Sequence, residues 1–239
     1  MAYGSIPPPP TSAPLPTLSY TLPDERRLTC FPVTRETLPE GAGEYLWGLF
    51  NEELATGKTY PQEAPVTLPD FLSYFFGATC ILGIVSSSPS SPSSSSTSEE
   101  ECKSVEDPTK DSPSENITIE EAVEGRGWEE CLVGCYYIKP NYPGRSSHNC
   151  NAGFLIAHNT RGMKIGFTLA KSYLIYAPKL GYRGSVFNLV YKTNKASLAI
   201  WDKLGFNRVG LIPAAGRLIT GENGEEEYVD AVVIHKSFV

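Results

Sequence analysis

The chain has 239 residues, 41% of them hydrophobic, which is enough to bury a sizeable core, and its six cysteines contain no C-x-x-C pair, so they read as reduced thiols of a cytoplasmic protein. No apolar run approaches the roughly 20 residues of a membrane span and no charged-then-apolar leader opens the chain, so neither a membrane partner nor export is expected. The formal net charge of −7 is unevenly placed: residues 86–127 hold ten Asp/Glu against three Lys/Arg, whereas 161–208 hold nine Lys/Arg against Asp202 alone, a basic stretch that points to an anionic ligand unless it is only a set of solvated helix faces.

Residues 1–26 carry Pro7 to Pro10 and further prolines at 14, 16 and 23, a composition that predicts a disordered tail. Alternating Leu28, Cys30 and Pro32 predict a strand, and Tyr45, Leu46, Leu49, Phe50 and Leu54 recur at helical spacing until Gly57. Thr67 and Asp70 open a second helix through Leu68, Phe71, Leu72, Phe75 and Phe76, followed by a strand over 79–85. The Ser/Pro run from Ser86 and the acidic stretch to Gly127 have too few apolar residues to offset their ordering entropy. They predict a flexible insertion at about 86–127 inside a single domain, 27–239. Asn116-Ile117-Thr118 matches a glycosylation acceptor at chance level.

Beyond the insertion the pattern predicts strands over 131–138 and 152–157 with a turn over 140–145 between them. A helix through Leu169, Tyr173, Leu174 and Ala177 is ended by Pro178 and Gly181. A strand over 186–191, a helix over 194–204 closed by Gly205, and a strand over 229–234 complete the order. The fold class is α/β, a mixed sheet with helices on both faces.

Arg161-Gly162-Met163-Lys164-Ile165-Gly166, after the strand that ends in Phe154-Leu155-Ile156, opens a helix, where unpaired backbone N–H groups and the positive dipole end suit a pyrophosphate. Neither a Walker A loop nor a G-x-G-x-x-G fingerprint is present, and a plain helix start with a surface arginine explains the motif equally well.

Three further motifs change that balance. Arg161-x-x-x-x-Gly166, the strand Phe187-Asn188-Leu189-Val190, and Asn194-x-x-Ser197 leading to Trp201-Asp202-Lys203-Leu204-Gly205-Phe206 resemble the acetyl-CoA motifs of the GNAT N-acetyltransferase superfamily. Gly57-Lys58-Thr59-Tyr60-Pro61-Gln62, Tyr137-Ile138-Lys139-Pro140-Asn141-Tyr142, Ser147-His148-Asn149-Cys150-Asn151-Ala152-Gly153-Phe154-Leu155, Ala177-Pro178 and Pro213-x-Ala215-Gly216 resemble its proline-analogue subgroup. That subgroup acetylates azetidine-2-carboxylate and related cyclic imino acids. The resemblance covers about residues 45–62 and 132–216. It implies a GNAT fold with splayed central strands and acetyl-CoA as co-substrate, held by Phe154, Leu155, Ile156, residues 161–166, Asn194 and Ser197. It also implies a detoxifying or proline-linked role. Asn194 reads equally as a helix N-cap.

Two departures from the wider superfamily stand out. Lys164 replaces the usual first motif glycine, and Trp201 falls where many relatives carry a tyrosine that protonates the leaving thiolate, so no tyrosine acid operates there. The expected chemistry is direct attack in a ternary complex, with Asn151 and Asn188 orienting the amine and Tyr60, Asn151, Asn188 and Leu189 touching the acceptor. Backbone N–H groups around residues 154–156 are the expected oxyanion donors. His148 and Cys150 are the rival base and nucleophile, set aside because strand neighbours point to opposite faces. The three histidines lack metal-ligand spacing, so no metal is expected. A polyamine or protein amine as acceptor stays open, as do a homodimer and a non-enzymatic nucleic-acid-binding module using the basic stretch. The preferred reading has no nucleic-acid partner.

Overall fold

The computed structural model describes residues 14–89, 117–160, 162–221 and 223–239. The tail before residue 14, the middle of the insertion and Arg161 lie outside them. The chain begins with β1 (Leu18–Thr21), β2 (Arg26–Val33), α1 (Ala42–Ala55), α2 (Leu68–Phe76) and β3 (Thr79–Pro89). After two short helices, α3 (Ile119–Val123) and α4 (Trp128–Cys131), come β4 (Leu132–Pro140), β5 (Asn149–Ile156) and α5 (Ile165–Lys179). It closes with β6 (Gly184–Tyr191), α6 (Lys195–Lys203), β7 (Asn207–Ile219) and β8 (Glu226–Ser237).

Among the described residues eight strands make one mixed sheet in the order β1-β2-β3-β4-β5-β6-β8-β7, in which β5 and β6 are parallel and the other neighbours antiparallel. That pair is short: only Asn149 with Gly184 and Cys150 with Ser185 are in register. Beyond Cys150 the two strands part, so the β5 edge from Asn151 onward has no strand beside it. This opening is the splay that the motifs imply.

Helices cover both faces. α1 and α2 bury Leu46, Phe50, Phe71 and Phe75 against Cys135, Tyr137 and Leu155, while α5 and α6 bury Leu169, Tyr173, Leu198 and Trp201 against Tyr136, Cys150 and Phe187. The pleat of β4 and β5 therefore sends Tyr137, Lys139, Asn151, Gly153 and Leu155 to the α1/α2 side. β4 is buried on both faces, which is why its sequence is a nearly continuous apolar run.

Four expectations need correction. Leu18–Thr21, inside the expected tail, pairs with β2 from Leu18 opposite Cys30 to Thr21 opposite Arg27, and the Tyr176 hydroxyl donates to Pro16 O at 2.8 Å. The proline-rich composition masked four residues with good strand chemistry. Both ends of the expected flexible insertion at 86–127 are structured, because β3 continues to Pro89 and α3 and its cap follow from Thr118, while residues 90–116 lie outside the described residues. Thr118 and Glu121 form a capping box, and Arg126 donates to Val85 O and Ala122 O at 2.9 Å. α5 runs through Pro178 to Lys179, since a proline in the last turn costs only one intrahelical hydrogen bond. The 13-residue β7 was not expected at all; it is an edge strand, bent where register shifts between Ile212 and Gly216.

Candidate active site

The α1–α2 connection reaches across the splay. Gly57 sits at φ 63°, a left-handed turn that ends α1, and its carbonyl accepts from Ile219 N at 2.9 Å, so the far end of β7 docks there. Glu53, buried in α1, accepts from Thr59 Oγ1 at 2.6 Å and faces His158 Nε2 at 3.3 Å. Arg217 pairs with Glu63 at 3.0 Å. Held from these sides, the loop delivers Tyr60, whose ring stands edge-on to Phe50 and whose hydroxyl donates to Phe154 O at 2.8 Å.

That bond locates the free edge of β5. Asn141 N donates to Asn149 O and Ala157 N to Val133 O, so odd-numbered residues at both ends of β5 turn their backbone groups toward β4. By alternation the N–H groups of Phe154 and Ile156 face the splay, whereas that of Leu155 is spent in the ladder opposite Cys135.

Asn151 and Asn188 meet through a third amide. Asn141, directly after β4, accepts on Oδ1 from Asn151 Nδ2 at 2.6 Å and from Asn188 Nδ2 at 2.9 Å. It returns a bond from Nδ2 to Asn188 Oδ1 at 3.1 Å, and Tyr142 OH donates to the same oxygen at 3.2 Å. Both lone pairs of Asn188 Oδ1 are thus engaged. Asn151 Oδ1 is buried with no partner, the one orphaned acceptor of the trio. The cluster runs inward from solvent, with Asn188 and Leu189 exposed and Asn141 buried.

Lys139 lies directly opposite Asn151 in the β4–β5 register, hence on the same face. Its Nζ is buried without a hydrogen-bond partner, 4.1 Å from the Tyr74 ring centroid and 4.0 Å from that of Tyr137. Tyr137 can lie there because residue 153 is glycine: a Cβ would come within 2.5 Å of its ring. Burial lowers the Lys139 ammonium from 10.5 to about 8.

Across the splay, α5 begins with Lys164 at φ 60° after Gly162 at φ 87°; no side chain caps its first turn and no acidic residue occupies it. An uncapped, acid-free helix start beside Lys164 leaves backbone donors for phosphate oxygens. Met163 is touched by Arg26 Nη2 at 3.6 Å, so Arg26 adds a second cation near this loop. Ile165 is buried in the α5 core, and at Gly166 an added Cβ would meet only ordinary contacts, 3.6 Å from Ile200 and 3.8 Å from Ile156. The protein's own packing does not demand glycine there. A ligand lying over the helix start would.

Comparison with known proteins decides what this arrangement is. The acetyltransferase (GNAT) family profile matches residues 86–206. N-acetyltransferase aca1 of Schizosaccharomyces pombe is 36% identical over 212 residues, covering 87% of this chain and 88% of that protein. The chain belongs to the acetyltransferase (GNAT) family. A GCN5-related N-acetyltransferase from Kribbella flavida shares the fold with a TM-score of 0.59 at 20% identity, over 87% of this chain and 97% of that one. So does yncA from Salmonella typhimurium, whose structure contains acetyl-CoA, with a TM-score of 0.59 at 10% identity over 89% of this chain and 94% of that one.

This acetyltransferase uses acetyl-CoA as its donor, and the splay with its uncapped helix start has the donor set such a molecule needs. Asn194 is the N-cap of α6, accepting from Ser197 N at 3.0 Å, while Ser197 Oγ accepts from Trp201 Nε1 at 3.1 Å. Trp201 is packed among Phe154, Phe187 and Phe206. The rival catalysts are spent elsewhere. His148 is exposed, donating from Nδ1 to Arg145 O at 3.1 Å and accepting at Nε2 from Asn149 Nδ2 at 3.0 Å. Cys150 is buried against the Tyr173 hydroxyl at 3.1 Å, and burial pushes its thiol up to about 12, leaving almost no thiolate at neutral pH. Sequence reasoning missed Asn141 and Lys139 as site residues, although both sit in a motif it singled out.

Proposed function

We propose that this enzyme transfers the acetyl group of acetyl-CoA to the ring nitrogen of a small cyclic imino acid, such as azetidine-2-carboxylate or a hydroxyproline. The observation that carries this reading is Asn151 Oδ1, an acceptor buried without a donor beside the free edge of β5. A neutral secondary ring amine has one N–H; donating it to Asn151 Oδ1 fixes the direction of the remaining lone pair. Asn141 holds Asn151 by its Nδ2 and locks Asn188 by two reciprocal bonds, so the amide plane is set before the acceptor arrives.

Acetyl-CoA supplies the thioester carbonyl at which the acyl group is exchanged. The N–H groups of Phe154 and Ile156, turned toward the splay, are placed to bind the oxygen that gains charge, and Tyr60 fixes their strand through Phe154 O. The remaining N–H of Asn188 then holds the acceptor. A carboxamide removes no proton, so the amine enters neutral and its proton leaves to water as the N–C bond forms and the C–S bond breaks. With Trp201 in place of a tyrosine, the thiolate takes its proton from solvent.

A polycationic acceptor fits poorly: the residues bonded to Asn151 and Asn188 are amides and a phenol, and the residue opposite Asn151 in the ladder is the cation Lys139. The test is thiol release from acetyl-CoA with azetidine-2-carboxylate, hydroxyprolines, proline, spermidine and a peptide as acceptors. Turnover with the ring imino acids is expected; release with spermidine or the peptide alone overturns the assignment.

A further inference from the structure

A buried ammonium normally has a carboxylate or several carbonyls to itself, because desolvation without compensation is costly. Lys139 has neither. Among the described residues its Nζ has no hydrogen-bond partner, and the groups that enclose it are the faces of Tyr74 from α2 and Tyr137 from its own strand. The two phenols bond each other at 3.0 Å, and neither oxygen bonds the ammonium, which meets the rings alone. Ring faces offset part of the cost of a cation but accept none of its three protons. Directly across the β4–β5 ladder stands Asn151, whose Oδ1 is orphaned as well. An unanswered cation with three donors and an unanswered acceptor thus stand on the same face of the sheet at directly opposed positions of adjacent strands, where Cβ atoms lie about 4.5–5.5 Å apart.

We propose that Lys139 and Asn151 together read the N–Cα–carboxylate unit of the acceptor, Lys139 binding the carboxylate and Asn151 the N–H on the neighbouring atom. This rests on the imino-acid reading above and adds the group that selects it: the enzyme takes acceptors bearing a carboxylate next to the reacting nitrogen and refuses the same rings without it. The tyrosine box orients the ammonium and excludes water, so the ion pair forms in a poorly solvated place where it counts for more than at a surface. A carboxylate bound there also raises the Lys139 pKa from its depressed value, keeping the ammonium charged at the pH where the amine is partly neutral.

The experiment compares wild type with Lys139→Met, which keeps the stem and removes the charge, on two pairs of acceptors: azetidine-2-carboxylate against azetidine, and proline against pyrrolidine. Wild type should favour each acid over its decarboxylated ring. In Lys139→Met the KM for the acid should rise about tenfold or more, the KM for acetyl-CoA should stay, and the preference for acid over ring should collapse by the same factor. Lys139→Arg, which keeps the charge, should restore part of that preference. Equal acid-to-ring ratios in wild type and Lys139→Met overturn the proposal. So does a fall in kcat at unchanged KM with loss of a pH limb near the Lys139 pKa, which would make Lys139 a proton acceptor instead. Failure of the imino-acid reading looks different: wild type would then prefer an open-chain α-amino acid over every ring. The Lys139 comparison is then made on that acid and its amine.

Discussion

At the scale of single residues, the site depends on one amide that holds two others. Asn141→Ala removes the partner of both Asn151 Nδ2 and Asn188 Nδ2, so steady-state kinetics should show kcat reduced about 10–100-fold, with little change in the KM for acetyl-CoA. Wild-type kcat in this variant would mean the trio is not a unit. Lys139 gives a stability prediction with a definite sign. Burial lowers its pKa from 10.5 to about 8, so the folded chain holds that proton less tightly than the unfolded chain. The resulting penalty is full below about pH 8 and fades as pH rises to 10.5. Lys139→Met should therefore raise Tm at pH 7, with the gain shrinking across that window; a Tm gain independent of pH would contradict the assignment. Gaining stability while losing acceptor recognition is the trade expected of a strained functional group. Asn151 and Asn188 were proposed from the sequence because their motifs are specific, and the structure joins their amides through Asn141. Asn141 and Lys139 were not, since their roles come from the β4–β5 register and the return of β6, which no local pattern encodes.

At the scale of elements, β7 matters although little in its residues marks it as a strand. Val209, Leu211 and Ile212 are all exposed, and Gly210, Pro213 and Gly216 interrupt the alternation by which a strand is recognised. Its far end nonetheless seats the loop that carries Tyr60, through Ile219 on Gly57. A Cβ at residue 57 would sit 2.7 Å from Ile219 Cδ1 in a left-handed turn, so Gly57→Ala should cost about 1–2 kcal/mol and lower Tm by roughly 2–8 °C. The same variant should raise the acceptor KM more than the acetyl-CoA KM, because Tyr60 moves with the loop; equal KM values would detach that loop from the acceptor. α1, α2 and α6 were readable from spacing, Thr67 and Asn194 marking two of the starts. Leu18–Thr21 was hidden by the prolines around it.

At the scale of the whole molecule, the brief β5–β6 pairing is the feature that makes function possible, because it leaves backbone donors of a central strand free of the ladder. The order of strands and helices was legible apart from β1, α3, α4 and β7; the splay was inferred from the resemblance, since two register pairs instead of a full ladder leave no trace in composition. Acetyl-CoA bound in that opening stabilises only the folded chain. At about 100 times its Kd it should raise Tm by roughly 5–10 °C, and Lys164→Glu, which places a carboxylate at the α5 start, should abolish most of the rise. An undiminished rise would move the phosphates elsewhere.

The central claim is that Asn151 and Asn188 act as one orienting unit on the acceptor nitrogen, and a double-mutant kinetic cycle tests it most directly. With azetidine-2-carboxylate as acceptor, Asn151→Ala and Asn188→Ala should each lower kcat, and the double variant should lose little more than the worse single one. Wild-type kcat in both single variants, or losses that multiply in the double, would contradict it.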